Sequence, residues 1–442
     1  MKRLTLSLLV TTLLGLLVLA GGAIAYRGGS HGSSTGGAVR ATLDPVSALT
    51  GSAQQVADLR ARVARHPRDA QLQAQLGIAY LQRARETSDG ATYELASRLL
   101  SGAAQSAPQN FDAVVGQGSL ALSYHEFSRA LQLGRRAVSL SHGFSPAALG
   151  IVGDAQLELG RYPQAFATFA QLARTRPGLV SDARQSYALE LQGELRGAIT
   201  LMRRAVQAGS GAPENTEWTR IQLAGLLLKA GRIDQASREY AHALAVLPTY
   251  ARAEAGMGAV AVARGDLAAA ERWYLRASGH LPLPEVVAAL GDVQSSRGEA
   301  DAARESFALV RAEQRLFAQS GGNVDLENAR FDTDHPGGLA PRKIVDLARR
   351  ALITRPSIFA HDTLAWALHR AGDCGAALPE AIAATRLHTA DPMLDYHLGA
   401  IQACLGDREQ ARYALVRALA KNPNFHPLAA PAARRLLAHL GG

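Results

Sequence analysis

The sequence predicts an all-α protein built as a linear array of about ten helical hairpins. Three observations carry this prediction. A sequence pattern recurs along most of the chain at intervals close to 34 residues. The pattern combines small residues with a larger apolar residue, and it ends with a proline. A composition with 48% apolar but only 5% aromatic residues is typical of helices that pack through alanine and glycine rather than of a β-rich core.

Each recurring unit is centred on a landmark residue, mostly alanine, that in seven units follows a glycine by five positions. The landmarks are Ala96, Ala130, Ala165, Ala198, Ala236, Ala270, Ala303, Ile344, Ala377 and Ala411. Successive alanines are 33 to 38 residues apart, except for one step of 74 residues that Ile344 divides as the landmark of a degenerate unit. The spacing therefore predicts ten units.

Within a unit, a small residue stands twelve positions before the landmark and a larger apolar residue four after it, as at Gly153 and Phe169. Small residues let two antiparallel helices approach closely, and the larger side chain fills the space beside them. Glycine suits the turn between the helices, and proline twelve positions after the landmark, as at Pro248, ends the second helix. Each unit is thus predicted to be a hairpin that must stack on its neighbours.

This combination of period, small residues, aromatic residue and proline resembles the tetratricopeptide repeat (TPR) family over roughly residues 70–424. The resemblance implies a right-handed superhelical solenoid whose first helices line a concave groove that binds peptides or partner domains. We expect the array to occupy residues 70–315, an irregular insertion residues 316–340, and the rest of the array residues 341–424. Residues 50–69 and 425–442 are expected to form single helices that cap the two ends.

Residues 1–26 are predicted to be a membrane anchor or a signal sequence. Lys2 and Arg3 precede the uncharged run Leu4–Ala25, whose 22 residues would rise about 33 Å as a helix, enough to cross a bilayer. An A-x-A sequence at 23–25 also offers a cleavage site. The length favours an uncleaved transmembrane helix with a cytoplasmic N-terminus, followed by a flexible Gly/Ser-rich linker at 27–49.

The expected location is therefore the cell membrane of a bacterial-type cell, as a single-pass protein with an extracytoplasmic C-terminal domain. Cleavage would instead give a secreted protein. The formal charge of +9 comes from 47 basic and 38 acidic residues, and the arginines are scattered along helices without a dense basic run. This distribution argues against a nucleic-acid partner.

Motifs of common enzyme classes, such as a nucleophile elbow, a P-loop or a dinucleotide fingerprint, do not occur. We accordingly expect no catalytic residue, no cofactor, no small-molecule substrate and no resident metal. Asp332, Asp334 and His335 keep open a less favoured metal-dependent module around residues 318–340, because carboxylate and imidazole groups this close could hold a divalent cation. The same residues also suit a helix exit and turn.

The two cysteines, Cys374 and Cys404, are predicted to lie at one edge of the array, on antiparallel neighbouring helices. Outside the cytoplasm a disulfide between them is plausible, and two partly buried thiols fit the sequence equally well.

The resemblance also predicts which side chains face the groove. The densest patch of aromatic and charged residues is Phe359, Asp362, Trp366, His369, Arg370 and Tyr396, and Trp218 and Tyr187 are further groove residues. Interfaces concentrate binding energy in aromatic and arginine side chains, although Trp366 and Tyr396 would suit burial between hairpins equally well. We predict a scaffold that binds a protein or peptide without catalysis; an envelope assembly factor of the cytochrome maturation or secretion type is the alternative.

Overall fold

The computed structural model describes residues 45–87, 89–210, 213–335 and 337–441, and these residues form 22 α-helices. In chain order they are α1 (Pro45–Arg65), α2 (Ala70–Thr87), α3 (Gly90–Ser106), α4 (Phe111–Ser123), α5 (Phe127–Leu140), α6 (Pro146–Glu158), α7 (Tyr162–Thr175), α8 (Leu179–Leu191), α9 (Leu195–Ala208), α10 (Pro213–Lys229), α11 (Ile233–Val246), α12 (Ala251–Ala263), α13 (Leu267–His280), α14 (Pro284–Ser296), α15 (Ala300–Gln319), α16 (Asp325–Asp334), α17 (Pro341–Thr354), α18 (Ile358–Arg370), α19 (Cys374–Thr385), α20 (Pro392–Cys404), α21 (Arg408–Lys421) and α22 (Ala429–Gly441).

Helices α2 to α21 form ten consecutive hairpins, which we number 1 to 10 from α2–α3 to α20–α21. Helix α1 precedes hairpin 1 and α22 follows hairpin 10, each as a single helix. The prediction of an all-α array of helical hairpins is therefore confirmed. The predicted anchor at 1–26 lies outside the described residues, and none of the described helices combines the length and the apolar character that a membrane span needs.

The small and large residues that the spacing pairs do pack together inside the hairpins. A Cβ atom added at Gly153 would overlap the ring of Phe169, and one at Gly291 would overlap the ring of Phe307. The landmark Ala165 is completely buried at the same interface. Because any larger residue would push the two helices apart, these positions set the close approach within each hairpin.

The hairpin turns use a left-handed backbone conformation. Positive φ angles occur at Gly160, Gly193, Gly231, Gly265, Gly298, Gly372 and Gly406. Hairpin 2 is different, because His125 occupies the glycine position with a φ of 60°. A residue with a side chain rarely adopts this conformation, so His125 needs a compensating contact, which the second half of the chain supplies.

The first helices of the hairpins form the inner layer of the array. Neighbouring first helices contact one another, for example α2 with α4 and α18 with α20. Neighbouring second helices do not come comparably close within the described residues. Since elements on the inside of a curve are closer together than those on the outside, the array bends with its first helices inward.

The bend is strong enough to bring the two halves of the array into contact. Asn323 donates its N–H to the Tyr124 carbonyl (3.1 Å), Ile358 donates its N–H to the Tyr162 hydroxyl (2.8 Å), and the Thr389 hydroxyl donates to the Leu191 carbonyl (2.6 Å). These contacts join hairpin 2 to the start of hairpin 8, hairpin 3 to hairpin 9, and hairpin 4 to hairpin 10. The array thus completes one turn of a superhelix in about six hairpins.

The segment 316–340, predicted to be an irregular insertion, is mostly helical. Helix α15 continues to Gln319 because Phe317 is buried in the core of hairpins 1 and 2. Residues Asp325–Asp334 then form the first helix of hairpin 8, so the two predicted parts of the array are continuous. Helix α1 begins at Pro45, inside the predicted linker at 27–49, and the closing helix α22 lies within the predicted 425–442.

Candidate functional site

Several of the predicted groove residues meet on the inner layer of hairpins 9 and 10. Asp362, Trp366 and His369 lie on α18, and Tyr396 lies on the neighbouring first helix α20. The stretch of α18 that carries them begins at a Ser357 N-cap, whose hydroxyl accepts from the Ala360 N–H and fixes the start of the helix. The helical register then places residues 362, 366 and 369 on one face.

Trp366 is the centre of this site and is only 7% exposed. Its indole N–H donates a hydrogen bond to Asp334 Oδ1 at 2.7 Å. Its ring lies nearly parallel to the rings of His397 and His369, with centroid distances of 4.2 and 4.8 Å, and the Tyr396 ring is 5.5 Å away. We call Trp366, His369, Tyr396 and His397 the aromatic–histidine cluster.

His397 carries a hydrogen-bonding atom for which the described residues provide no partner. Its Nδ1 lies 2.9 Å from Asp362 Oδ1, and since a carboxylate only accepts, Nδ1 carries the hydrogen. The Nε2 atom is buried and has no hydrogen-bond partner in the part of the chain that the structure describes. Burial lowers the pKa of His397, but the Asp362 carboxylate outweighs burial and the net pKa is raised. A carboxylate that orients an imidazole in this way leaves the other nitrogen directed at a ligand.

The rim of the cluster is polar and partly open. His369 is half-buried, and its pKa is lowered by burial and further by His397 and Arg370. Arg370 is exposed at the last turn of α18. The pKa of the Tyr396 hydroxyl is raised by burial, with the charge of Asp334 adding to the effect. The site therefore combines a buried stack of aromatic and histidine rings, an imidazole nitrogen without a partner among the described residues, and an exposed guanidinium.

A disulfide borders the cluster. Cys374 at the start of α19 and Cys404 at the end of α20 are bonded, with their Cα atoms 6.3 Å apart, so the structure adopts the first of the two alternatives left open above. His369 Nδ1 lies 3.4 Å from Cys374 Sγ. These three residues form a group of potential metal ligands, but sulfur atoms bonded to each other are not thiolates and do not bind an ion as such.

Three other predicted groove residues belong to a different part of the molecule. Tyr187 and Trp218 are each 8% exposed and lie in the large core that spans hairpins 3 to 6. Phe359 is partly buried and packs against that same core across the contact between superhelical turns. The structure thus places these residues in the core and not on an open groove, and separates Phe359 from the rest of its predicted patch.

The residues behind the metal-dependent alternative do not converge on one point. Asp332 accepts a hydrogen bond from Arg311 at 3.0 Å, and Asp334 accepts from Trp366. His335 Nε2 pairs with Asp292 at 2.8 Å. Because the three side chains have separate protein partners, the observation that suggested a metal-dependent module around 318–340 no longer supports it.

A buried charge cluster that the sequence did not reveal joins the two superhelical turns. Arg355 donates from Nε to Glu158 and from Nη1 to Glu327, the latter at 3.0 Å, and all three side chains are at most 5% exposed. His125 donates from Nδ1 to the Asn323 carbonyl at 2.9 Å beside them. We call Arg355, Glu158 and Glu327 the inter-turn clamp. Its one sequence signal is His125 in place of a turn glycine.

No protein-family model matches this sequence, and no curated protein matches it. Among solved structures the chain is similar to the APC/C hetero-tetramer Cut9–Hcn1, at 14% identity over 90% of both chains with a TM-score of 0.38. It is also similar to TTC0263, a thermophilic TPR protein of Thermus thermophilus, at 22% identity over 48% of this chain and 100% of that one, with a TM-score of 0.37.

A third similar structure is YrrB, described as a TPR protein with an unusual peptide-binding site, at 19% identity over 42% of this chain and 94% of that one, with a TM-score of 0.30. Likenesses at this level do not identify a function. The helical-hairpin architecture rests on the structure of the chain itself, and the function must be inferred from its surfaces.

Proposed function

We propose that this chain is a scaffold, tethered to the outer side of the cell membrane, that binds a protein or peptide through the aromatic–histidine cluster. The observation that carries the proposal is the buried Nε2 of His397, which has no hydrogen-bond partner among residues 45–87, 89–210, 213–335 and 337–441 although Asp362 holds the ring in place. A buried polar atom without a partner is rare in folded proteins. A hydroxyl group of a partner would complete it, because a hydroxyl can donate to the neutral nitrogen and can accept from the protonated one.

The surroundings of Nε2 suit recognition of a polypeptide. Tyr396 offers a partly exposed aromatic ring, which the buried Trp366 supports from behind, and Arg370 at the rim offers a charged donor. Tryptophan, tyrosine and arginine are the residues that most often dominate binding energy at protein interfaces. The partner we propose therefore places a small polar group against His397 and an acidic or carbonyl group against Arg370.

The same region is held rigid before a partner arrives. The disulfide fixes the end of α20 to the start of α19, and the hydrogen bond from Trp366 to Asp334 fixes the indole. A site ordered in advance loses less conformational freedom on binding. Rigidity of this kind suits a scaffold that presents a fixed surface.

The tether and the extracytoplasmic location are supported by two features. The run Leu4–Ala25 is long enough for a transmembrane helix, and disulfides persist mainly in oxidising compartments. The test measures the intact mass of the mature chain and digests cells with a protease after their outermost envelope layer has been permeabilised. We expect the chain to retain residues 1–25 and to be digested although the cytoplasmic membrane is intact. Loss of those residues would contradict the anchor.

The binding site is tested by placing a photo-crosslinking amino acid at position 370 and, as a matched control, at exposed Arg349 on the second helix α17. We expect discrete crosslinked partners from position 370 alone. The combined change His397→Phe and Asp362→Asn keeps the ring stack and removes Nε2. The double variant should give none of those crosslinks, and its thermal midpoint should lie within a few degrees of that of the wild type. Equal crosslinking from positions 370 and 349 would refute the site.

A further inference from the structure

The turn of hairpin 1 reaches across the bend of the array to the first residues of hairpins 5, 6 and 7. Arg85 donates to Glu214 at 3.0 Å, and the Tyr250 hydroxyl donates to the same carboxylate at 3.0 Å. Phe317 anchors the end of α15 in the core of hairpins 1 and 2. The charged side chains at this meeting point are Arg85, Glu214, Arg252, Glu285 and Glu313, which we call the junction cluster.

The junction cluster contains three carboxyl groups and two guanidinium groups, so one carboxyl group is left without a basic partner in the cluster. Arg85 pairs with Glu214, and Arg252 pairs with Glu285 at 3.3 Å. Glu313, one turn before Phe317 on α15, is 4% exposed and forms no hydrogen bond or ion pair with the described residues. Burial of this unpaired carboxyl raises its pKa to about 8, and the charge of Glu285 contributes.

Several unsatisfied polar atoms belong to the junction cluster or to Gln314, the residue after Glu313. Eight buried side-chain nitrogen or oxygen atoms of the described residues have no hydrogen-bond partner, and four of them belong to Arg85, Glu285, Glu313 and Gln314. Two of these are carboxylate oxygens, Oε2 of Glu285 and Oε2 of Glu313, on the adjacent helices α14 and α15. Each such atom costs free energy that a suitable ligand would recover.

We propose that the junction cluster binds a basic side chain of a protein partner, arginine by preference, between the carboxyl groups of Glu285 and Glu313. A bound positive charge would be balanced by Glu313 once that carboxyl group loses its proton. A guanidinium is planar and has five N–H donors, so it donates to two carboxyl groups at once, whereas an ammonium acts as a point charge.

This proposal goes beyond the proposed function, because the junction cluster lies on hairpins 1, 5, 6 and 7 and not on hairpins 9 and 10. It shares with that function only the idea that the ligand belongs to a polypeptide. A small arginine derivative tests the junction cluster without any partner being known. If the arginine derivative does not bind the junction cluster, the prediction of crosslinking from position 370 is unaffected. If position 370 gives no crosslinks, the predicted binding of the arginine derivative is unaffected.

The experiment titrates the full chain, extracted in detergent, with N-acetyl-arginine-amide at pH 8, using calorimetry and ligand-observed NMR. The neutral isostere N-acetyl-citrulline-amide is the ligand control. We expect the arginine derivative to bind at least tenfold more tightly than the citrulline derivative. The variant Glu313→Gln keeps the shape and removes the charge, and should weaken binding at least tenfold. Glu409→Gln, on an exposed part of α21, should leave binding unchanged.

Binding should also release a proton. The free site holds Glu313 protonated near neutral pH, facing Glu285 of α14, whose charge Arg252 of α12 balances. A bound guanidinium favours the ionised form, so the affinity should fall as the pH is lowered from 8 to 6. This dependence should disappear in Glu313→Gln.

Three results would overturn the proposal. The first is no detectable binding of the arginine derivative at 10 mM, roughly the weakest single-residue contact worth considering. The second is equal binding by wild type and Glu313→Gln. The third is binding of Mg²⁺ or Ca²⁺ that Glu313→Gln abolishes while the arginine derivative does not bind, which would identify a cation site. A thermal midpoint of Glu313→Gln at or above that of wild type shows that the variant is folded.

Discussion

The inter-turn clamp and the junction cluster are both buried groups of charges that join distant hairpins, and they differ in one respect. In the clamp, Arg355 lies between Glu158 and Glu327 and donates to both. In the junction cluster, Glu313 receives no donor from the described residues. The clamp is a satisfied network, and the junction cluster is an unsatisfied one.

The comparison shows how buried charge can be assigned a role. A satisfied buried pair is costly to break, because removal of one partner strands the other in a medium of low polarity. An unsatisfied buried carboxyl destabilises the protein that carries it, so its presence requires a separate reason, and a ligand is one. The clamp therefore holds the superhelical turn closed, while the junction cluster is available for binding.

The largest effect is expected from Arg355→Met, which breaks the clamp. Two buried carboxylates lose their only guanidinium, and the free energy of unfolding should fall by about 3–5 kcal/mol. Urea unfolding followed by circular dichroism measures the change. The matched control is Arg349→Met, whose exposed pair with Asp346 at 3.8 Å should contribute less than about 1 kcal/mol. Similar small losses in both variants would remove the distinction between clamp and surface pairs.

At the junction cluster we expect a substitution to raise the free energy of unfolding and not to lower it. The pKa of Glu313 in the folded protein, about 8, lies above its ordinary value of 4.5. Ionisation of Glu313 therefore destabilises the folded protein. This loss of stability is absent below pH 4.5, increases between pH 4.5 and pH 8, and is complete above pH 8. Glu313→Gln should thus match wild type near pH 4.5 and be more stable by about 3 kcal/mol at pH 9, allowing for relaxation of the roughly 1.4 kcal/mol per pKa unit. Thermal melts at both pH values measure it; an equal difference at both would exclude titration of Glu313.

A smaller change in the free energy of unfolding is expected at a third group of charged side chains, which joins hairpin 7 to the C-terminal segment. Asp292 accepts from His335 Nε2 at 2.8 Å and pairs with His426 Nε2 at 3.2 Å. Burial alone would raise the pKa of Asp292, but the hydrogen bonds from His335 and His426 outweigh it and lower the pKa to about 2.

The stabilisation by Asp292 is therefore present above its ordinary pKa of 3.8 and is lost as the pH falls toward 2. Asp292→Asn should cost about 2 kcal/mol at pH 6, at roughly 1.4 kcal/mol per pKa unit, and much less at pH 2.5. Chemical unfolding at the two pH values measures both differences. A cost that does not change with pH would mean that Asp292 acts through shape and not through its charge.

The repeating hairpins could be predicted from the sequence because each unit encodes its own packing. Gly153 and Phe169 lie sixteen positions apart in one hairpin, and their contact needs no information from elsewhere in the chain. The same local logic failed at 316–340. There the extension of α15 depends on Phe317 entering the core of hairpins 1 and 2, which lies far upstream in the sequence, at Leu120 and before.

The candidate site could be predicted only in part, for the same reason. The repeat period placed Asp362, Trp366, His369 and Tyr396 on neighbouring first helices, and the structure brings them together. Whether a groove position stays open depends on the closure of the superhelix, which the period does not encode. That closure brings Ile358 and Phe359 against the core that contains Tyr187 and Trp218, and it creates the clamp and the junction cluster.

The closed superhelical turn is tested most directly by a double-mutant cycle between Arg355→Met and Glu158→Gln. These residues are 197 positions apart in sequence, and they interact only if the array bends back on itself. We predict a coupling energy of about 2 kcal/mol or more from urea unfolding of the wild type, the two single variants and the double variant. Additive effects within about 0.5 kcal/mol would contradict the closed turn, and with it the clamp and the junction cluster.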